Sequence, residues 1–330
     1  MGYYWQAVHG QLSIVENEQP IQHILASKRT APDLRHKLQL IEHARKFASQ
    51  QLDLPVADNY TSYVDLKRPF VAWNVVATPA YSVVPKQWCY LFAGCFNYRG
   101  YFHEQDAIAF AKKMKKQGMD VAIAGAWAYS TLGWFDDPVL SSMLDHDNTD
   151  VVGILFHELG HQTVYVKNDS SFNESFANTV EQVGLQRWYQ QLGTPEKYQA
   201  YLHRRQQHNA VIRMLAQTRN ALRRIYAEPV SDTEKEKLKT RAFASLKQTY
   251  HAWRKHHSYA VYDDWMKQKL NNAQLALIAT YSDKIPAFKA MLASVHGKLP
   301  SFYALARKVG KLPPAQRNAT LQKYLLDTQP

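Results

Sequence analysis

Two cysteines in 330 residues are too few for a disulfide-dense scaffold, and too few for a zinc site built from four thiolates. No apolar run reaches the ~18–20 residues that a membrane-spanning helix needs. No internal repeat and no low-complexity tract is visible, so the chain does not read as a repeat array or a linker. Carboxylates are the scarce charge: 28 Asp and Glu stand against 40 Lys and Arg, a net charge of +12. What is present is globular in character. Hydrophobic residues make up 46 % and aromatics 12 %, which excludes a disordered chain. The length suits one large domain or two intimate ones, with enough chain for a core that needs no disulfide framework.

The N-terminus runs from Met1-Gly2 straight into Tyr3-Tyr4-Trp5-Gln6. It carries neither a basic n-region nor an apolar h-region. It reads as a cytosolic start or as the start of a mature domain whose signal has been removed. Residues 11–54 read as helical, with Leu34, Leu38, Ile41, Ala44 and Phe47 at helical spacing. Residues 60–102 are rich in β-branched and aromatic side chains between Pro69, Pro79 and Pro85, which is strand composition. Residues 104–117 read as a helix ended by Gly118, and Asp120–Tyr129 as a strand. From Asn148 onward the chain reads as helix.

The expected class is therefore α+β, mainly helical, with a small mixed sheet in the N-terminal half and a helical C-terminal half. One unit spans 1–330, with segments 1–147, 148–192 and 193–330. Within the last, residues 201–257 read as two long polar helices around the break at Glu228-Pro229. Between Arg204 and Lys255 there are 13 Lys or Arg and 4 Asp or Glu, so the excess positive charge concentrates there. This stretch lacks interleaved aromatics in its middle and matches no nucleic-acid motif, so no nucleic-acid partner is expected. A solvated face is the preferred reading, and an anionic membrane surface is its functional alternative.

The chemistry sits in His157-Glu158-Leu159-Gly160-His161. On a helix, positions i and i+4 share a face, so both imidazoles can reach one metal ion. Glu158 then stands where it can take a proton from water beside that metal. Val151, Val152, Ile154, Leu155 and Phe156 precede the motif and mark the helix as buried, with Asp147 or Asn148 as its cap. Buried imidazoles and a buried carboxylate need partners, and a metal supplies them. A catalytic zinc takes a third protein ligand. Two carboxylates, Glu174 and Glu181, lie downstream on nearly one face of a second helix.

Asn173-Glu174-Ser175-Phe176-Ala177 after an HExxH resembles the glutamate-ligand zinc peptidases, the gluzincins, including the aminopeptidase N family. By that match Glu174 is the third ligand. The interval from His161 to Glu174 is shorter than in those families, whereas Glu181 lies at the family-like interval. Glu174 is preferred on its local match, with Glu181 as the alternative. The other carboxylate, or Asn178, would then orient a ligand histidine.

The likeness extends further. The chain resembles the bacterial family of putative aminopeptidases, with its pattern HELxHQ…Y…D…FNExFA…VE. The matching stretches include Tyr3–Gln6, Gly10-Gln11-Leu12, Gly94-Cys95, Tyr98–Phe102, Ala128–Phe135, Asp137-Pro138 and Asn271-Asn272-Ala273. This resemblance implies a gluzincin-like zinc peptidase acting on peptides, one Zn2+ per chain, and an exported protein of the cell envelope or periplasm, often a lipoprotein. It also implies a strand ahead of the zinc helix that pairs with the substrate backbone. Gly125–Tyr129 stands where aminopeptidase N carries Gly-x-Met-Glu-Asn, and here that segment has no carboxylate to bind a free amino terminus. Asp136, Asp137 and Glu104 are the substitutes within reach of the sequence.

A tetrahedral intermediate needs a further oxyanion donor, for which Tyr281 and Tyr129 are the candidates. Cys89 and Cys95 could close a small loop in an oxidising compartment or stay free in a reducing one. Asp145, Asp147 and Asp150 before the zinc helix read as ordinary acidic residues at a helix N-terminus rather than as a calcium site. The rival to the peptidase reading is a zinc-containing binding or scaffold protein of the cell envelope that works through the basic hairpin.

Overall fold

The computed structural model describes Gly10 and residues 12–90, 94–128, 136–278 and 284–326. It is 64 % helix with small sheets, in keeping with an α+β class. The chain divides into two compact units, each assembled from separated segments. Met1–Val71, Ala126–Tyr198 and Tyr281–Pro330 make the first, and Ala72–Gly125 with Gln199–Thr280 make the second. Both 1–147 and 193–330 therefore contribute to both units.

The first unit is a helical assembly with one minor sheet. Strand Ser62–Val64 pairs antiparallel with Gln19–Pro20 and parallel with Val139–Leu140. The helical stretch expected over 11–54 is thus interrupted by a strand and by a short helix, Ile21–Ala26. Helix Pro32–Leu52 follows, opened by Pro32, whose fixed φ suits a first helical turn. Its apolar stripe of Leu38, Ile41, Ala44 and Ala48 is fully buried. Helices Asn148–Thr163 and Ser170–Gln191 form the centre of the unit. Phe47, Phe156 and Trp188 meet edge-to-face or stacked at one end of them. Phe172 and Phe176 pack against Phe288 and Phe302 of helices Ile285–Ser294 and Leu299–Gly310 at the other.

The second unit holds the other two sheets. Strand Ala72–Pro79 lies between Arg99–Tyr101 and Met119–Ala126. Trp88–Tyr90 and Gly94–Phe96 pair as a separate hairpin in which Cys89 and Cys95 stand opposite each other and are joined by a disulfide. Among the described residues, three small sheets thus stand in place of the single sheet expected. The strand expected over Asp120–Tyr129 ends at Ala126. Tyr129 falls outside the described residues.

Helix Glu104–Lys116 ends at Gly118, whose φ of +75° reverses the chain at little steric cost. The paired helices Pro195–Ala227 and Asp232–Arg254 are not merely polar rods. Val211, Leu215 and Leu222 face Phe243, Leu246 and Tyr250 in a buried cluster with Val83, Met266 and Leu270. Some of their positive charge is committed within the unit. Buried Lys239 reaches Asp120 at 2.7 Å and the Ala80 carbonyl at 3.0 Å, and Arg254 pairs with Asp263 at 3.1 Å. Among the described residues no helix is long and apolar enough to cross a membrane.

Candidate metal centre

The site lies in the first unit, on two adjacent helices. Asp147 caps the first, its side chain accepting from the N–H groups of Thr149 and Asp150 at 2.9 and 3.0 Å. Asp147 thereby has the capping role expected at a helix start. Val151, Val152, Leu155, Phe156 and Leu159 of that helix are fully buried, so it runs through the core. Thr163 ends it, and Arg307 donates to the Thr163 carbonyl at 3.2 Å.

The turn that follows sets the second helix. Asn168 takes a φ of +64°, which asparagine tolerates better than most residues. Asn173 then clasps the turn from both sides, donating to the Val166 carbonyl and accepting from the Val166 N–H, each at 2.8 Å. Asp169 caps the helix at Phe172 N and is itself held by Arg317 and Lys284. The asparagine of the Asn-Glu pair thus builds the turn, and the next residue, Glu174, points to the histidines.

Close helix packing completes the approach. A Cβ on Gly160 would stand 3.2 Å from the Ala177 Cα, so the backbones come near just where His161 and Glu174 must meet. His157 Nε2 and His161 Nε2 are 3.1 Å apart. Glu174 Oε2 is 3.4 Å from His157 Nε2, and its Oε1 is 3.6 Å from His161 Nε2. One ligand atom from each of the three residues lies within 4.8 Å of the others.

This donor set fits a zinc ion. Three donors at about 2.0–2.1 Å from a tetrahedral zinc stand about 3.3–3.4 Å from one another. The 3.1 Å between the two Nε2 atoms and the 3.4 Å from His157 Nε2 to Glu174 Oε2 are close to that value, while the 3.6 Å to His161 Nε2 is made by the other oxygen of the same carboxylate.

Glu181 takes a different place. Its Oε2 lies 3.4 Å from His157 Nδ1, on the ring edge opposite Glu174. A carboxylate there favours a proton on Nδ1, so the Nε2 edge, which faces the other two donors, is the one free to bind a metal once its own proton has left. Asn178 donates to the Glu174 backbone carbonyl at 2.7 Å and so braces the helix at that residue. His161 Nδ1 is buried and has no hydrogen-bond partner among the described residues.

The charged groups of the site shift one another strongly. Burial works against a charged His157, but Glu174 and Glu181 outweigh it and hold its pKa at about 10. Burial, together with the charge on His157, pushes His161 down to about 4. Glu158 is raised to about 7 by burial, with Glu174, Asp137 and Glu181 adding to the effect against His157. For Glu174 burial is outweighed by His157, which keeps the carboxylate below its usual range. Three carboxylates therefore crowd two imidazoles, of which His157 is the one held charged and His161 the one held neutral.

A second group of polar residues adjoins the motif. The Asn59 and Gln162 side-chain amides pair reciprocally at 3.0 and 3.1 Å. Gln162 also donates to Asp137 Oδ2 at 3.1 Å, and the Asp137 N–H donates to Asn59 Oδ1 at 2.8 Å. Sequence reasoning did not find Asn59, and it met Gln162 only as the last residue of the HELxHQ pattern, with no role assigned. The one available signal was that Gln162 directly follows the motif. Of the carboxylates considered for the substrate amino terminus, Asp137 is thus buried and engaged, Asp136 is exposed, and Glu104 sits in the first turn of a helix of the other unit. Tyr281, like Tyr129, lies outside the described residues.

A family model described as "Putative aminopeptidase" matches residues 2–321. The chain belongs to the putative aminopeptidase family. This membership supports a peptidase at a coarse level. No curated protein and no solved structure gives a significant match.

Proposed function

We propose that this protein is a zinc-dependent aminopeptidase in which His157, His161 and Glu174 hold the metal and Glu158 is the general base. One observation carries the reading. In a chain of the putative aminopeptidase family, two imidazoles and a carboxylate converge within 4.8 Å, on the helix that also bears Glu158 and its neighbour.

The chemistry a zinc ion supplies at such a site is Lewis acidity, which lowers the pKa of water and polarises a scissile carbonyl. The protein's own groups do the rest. Glu158 takes the proton from the attacking water and passes it to the leaving amine. Glu181 fixes the His157 tautomer and ring orientation. Tyr129 and Tyr281 are the proposed donors to the tetrahedral oxyanion. The gluzincin-like character of the fold belongs to the same proposal. The Cys89–Cys95 disulfide supports an oxidising compartment, in line with an exported protein.

The test is hydrolysis of free-amine and N-acetylated peptides by zinc-loaded wild type and Glu158→Gln at equal zinc content. The wild type should cleave the free-amine substrate, and the variant should lose about 10²–10⁴-fold in kcat. Equal turnover by both would refute Glu158 as base. Cleavage of the acetylated peptide alone would replace the exopeptidase assignment with an endopeptidase one.

A further inference from the structure

Tyr60 has a conformation and a hydroxyl that the scheme above does not use. Its φ is +59°, a left-handed backbone that is uncommon for a bulky aromatic residue. Ala57, three residues before it, is also left-handed, at φ +35°. The loop is held in that shape by several bonds. Arg45 donates to the Asn59 and Ala57 carbonyls at 2.6 and 2.9 Å, and the Tyr60 N–H donates to the Asp137 carbonyl at 2.7 Å. Strain kept in place by surrounding bonds is a mark of functional positions.

The loop faces the side of the helix that carries the base. Asn59 pairs with Gln162, which lies four residues after Glu158 and so one turn along on the same face. The Tyr60 side chain is buried, at 2 % exposure, yet its hydroxyl has no hydrogen-bond partner among the described residues. The charges that bear on that hydroxyl are Glu158 first and Asp137 second. A buried hydroxyl left without a partner costs about 1–3 kcal/mol. Phenylalanine would fill the same space without that cost.

We propose that Tyr60 is a positioning residue for Glu158: its hydroxyl donates, through one shared water, to the Glu158 carboxylate and holds it toward the histidine pair. The proposal rests on Glu158 being the base, as argued above.

The experiment compares wild type, Tyr60→Phe, Glu158→Gln and the double variant, all zinc-loaded to equal metal content. Tyr60→Phe should stay folded, keep KM within about twofold, and lose about tenfold to a hundredfold in kcat. In the Glu158→Gln background the same change should cost nothing further, because the hydroxyl acts through that carboxylate. An unchanged kcat in Tyr60→Phe, or an equal loss in both backgrounds, would overturn the proposal.

A second readout does not need activity. The infrared carboxylate band of Glu158 is isolated by subtracting the Glu158→Gln spectrum from that of its parent, once in the wild-type background and once in the Tyr60→Phe background. The band should shift between the two. If zinc-loaded wild type cleaves no peptide, the peptidase reading fails, and an unshifted band separately overturns the role of Tyr60.

Discussion

Zinc added to the metal-free protein should expel a proton. Between Glu174 and Glu181, His157 has a pKa of about 10. At pH 7.5 it is therefore almost wholly protonated. A histidine must be neutral to bind zinc, so this protonation competes with the metal and weakens its apparent affinity. Affinity should rise about tenfold per pH unit between pH 7 and 9. Glu158, with a pKa of about 7, adds a fraction of a proton near neutrality when a cation arrives beside it.

Calorimetric titration at pH 7.5 in buffers of different ionisation heat counts the protons directly. About one to one and a half should be released per zinc bound. Stability has the same origin. A raised His157 pKa stabilises the fold below its unfolded value of 6.5, and that contribution is lost as pH rises through about 10. The raised Glu158 pKa acts in the same direction, with stability lost between 4.5 and about 7. The Tm of the metal-free protein should therefore fall from pH 6.5 to 10, with a flatter profile when zinc is bound. No proton release, together with a pH-independent affinity, would refute the placement of His157 between the two carboxylates.

Two further predictions concern the helix pair. Glu174→Ala removes a donor that faces both Nε2 atoms, whereas Glu181→Gln alters only the group behind His157. Competition with a chelating indicator should show a much larger loss of zinc binding for Glu174→Ala than for Glu181→Gln; the reverse order would make Glu181 the ligand. A Cβ on Gly184 would lie 2.6 Å from Phe156 Cδ2 and 3.0 Å from Leu52 Cδ1. Gly184→Ala should cost about 1–3 kcal/mol by overpacking, and an unchanged Tm would contradict that tight approach.

What could be read in advance was what depends on local spacing. His157 and His161 share a face because four residues on a helix bring them there. Glu174 could be named from its neighbours, but the same sequence left Glu181 open, since both carboxylates sit on nearly one helix face. The choice depends on depth: Glu174 meets the Nε2 edge of His157 and Glu181 its Nδ1 edge. That difference comes from how closely two helices pack, which no single-helix pattern encodes. Asn173 was legible as part of a motif but not as the clasp of the turn at Val166. Tyr60 was not legible at all. Its placement depends on a left-handed backbone and on partners far along the chain, Asp137 and, through Asn59, Gln162.

The two interleaved units escaped the linear reading for a similar reason. Strand and helix composition is local, whereas the joining of 72–125 with 199–280 rests on contacts such as Lys239 with Asp120 and Asn272 with Ala80. The basic helices misled in a related way. Their charge count was plain, but the apolar stripe of Val211, Leu215, Leu222, Phe243, Leu246 and Tyr250 was diluted by the charged residues around it.

The central claim is that this chain holds one catalytic metal on His157, His161 and Glu174. Elemental analysis of the purified protein, beside His157→Ala prepared in the same way, tests it most directly. The account predicts about one zinc per wild-type chain and almost none in the variant. Wild-type protein that carries no zinc, and takes up none when zinc is added back, would contradict it.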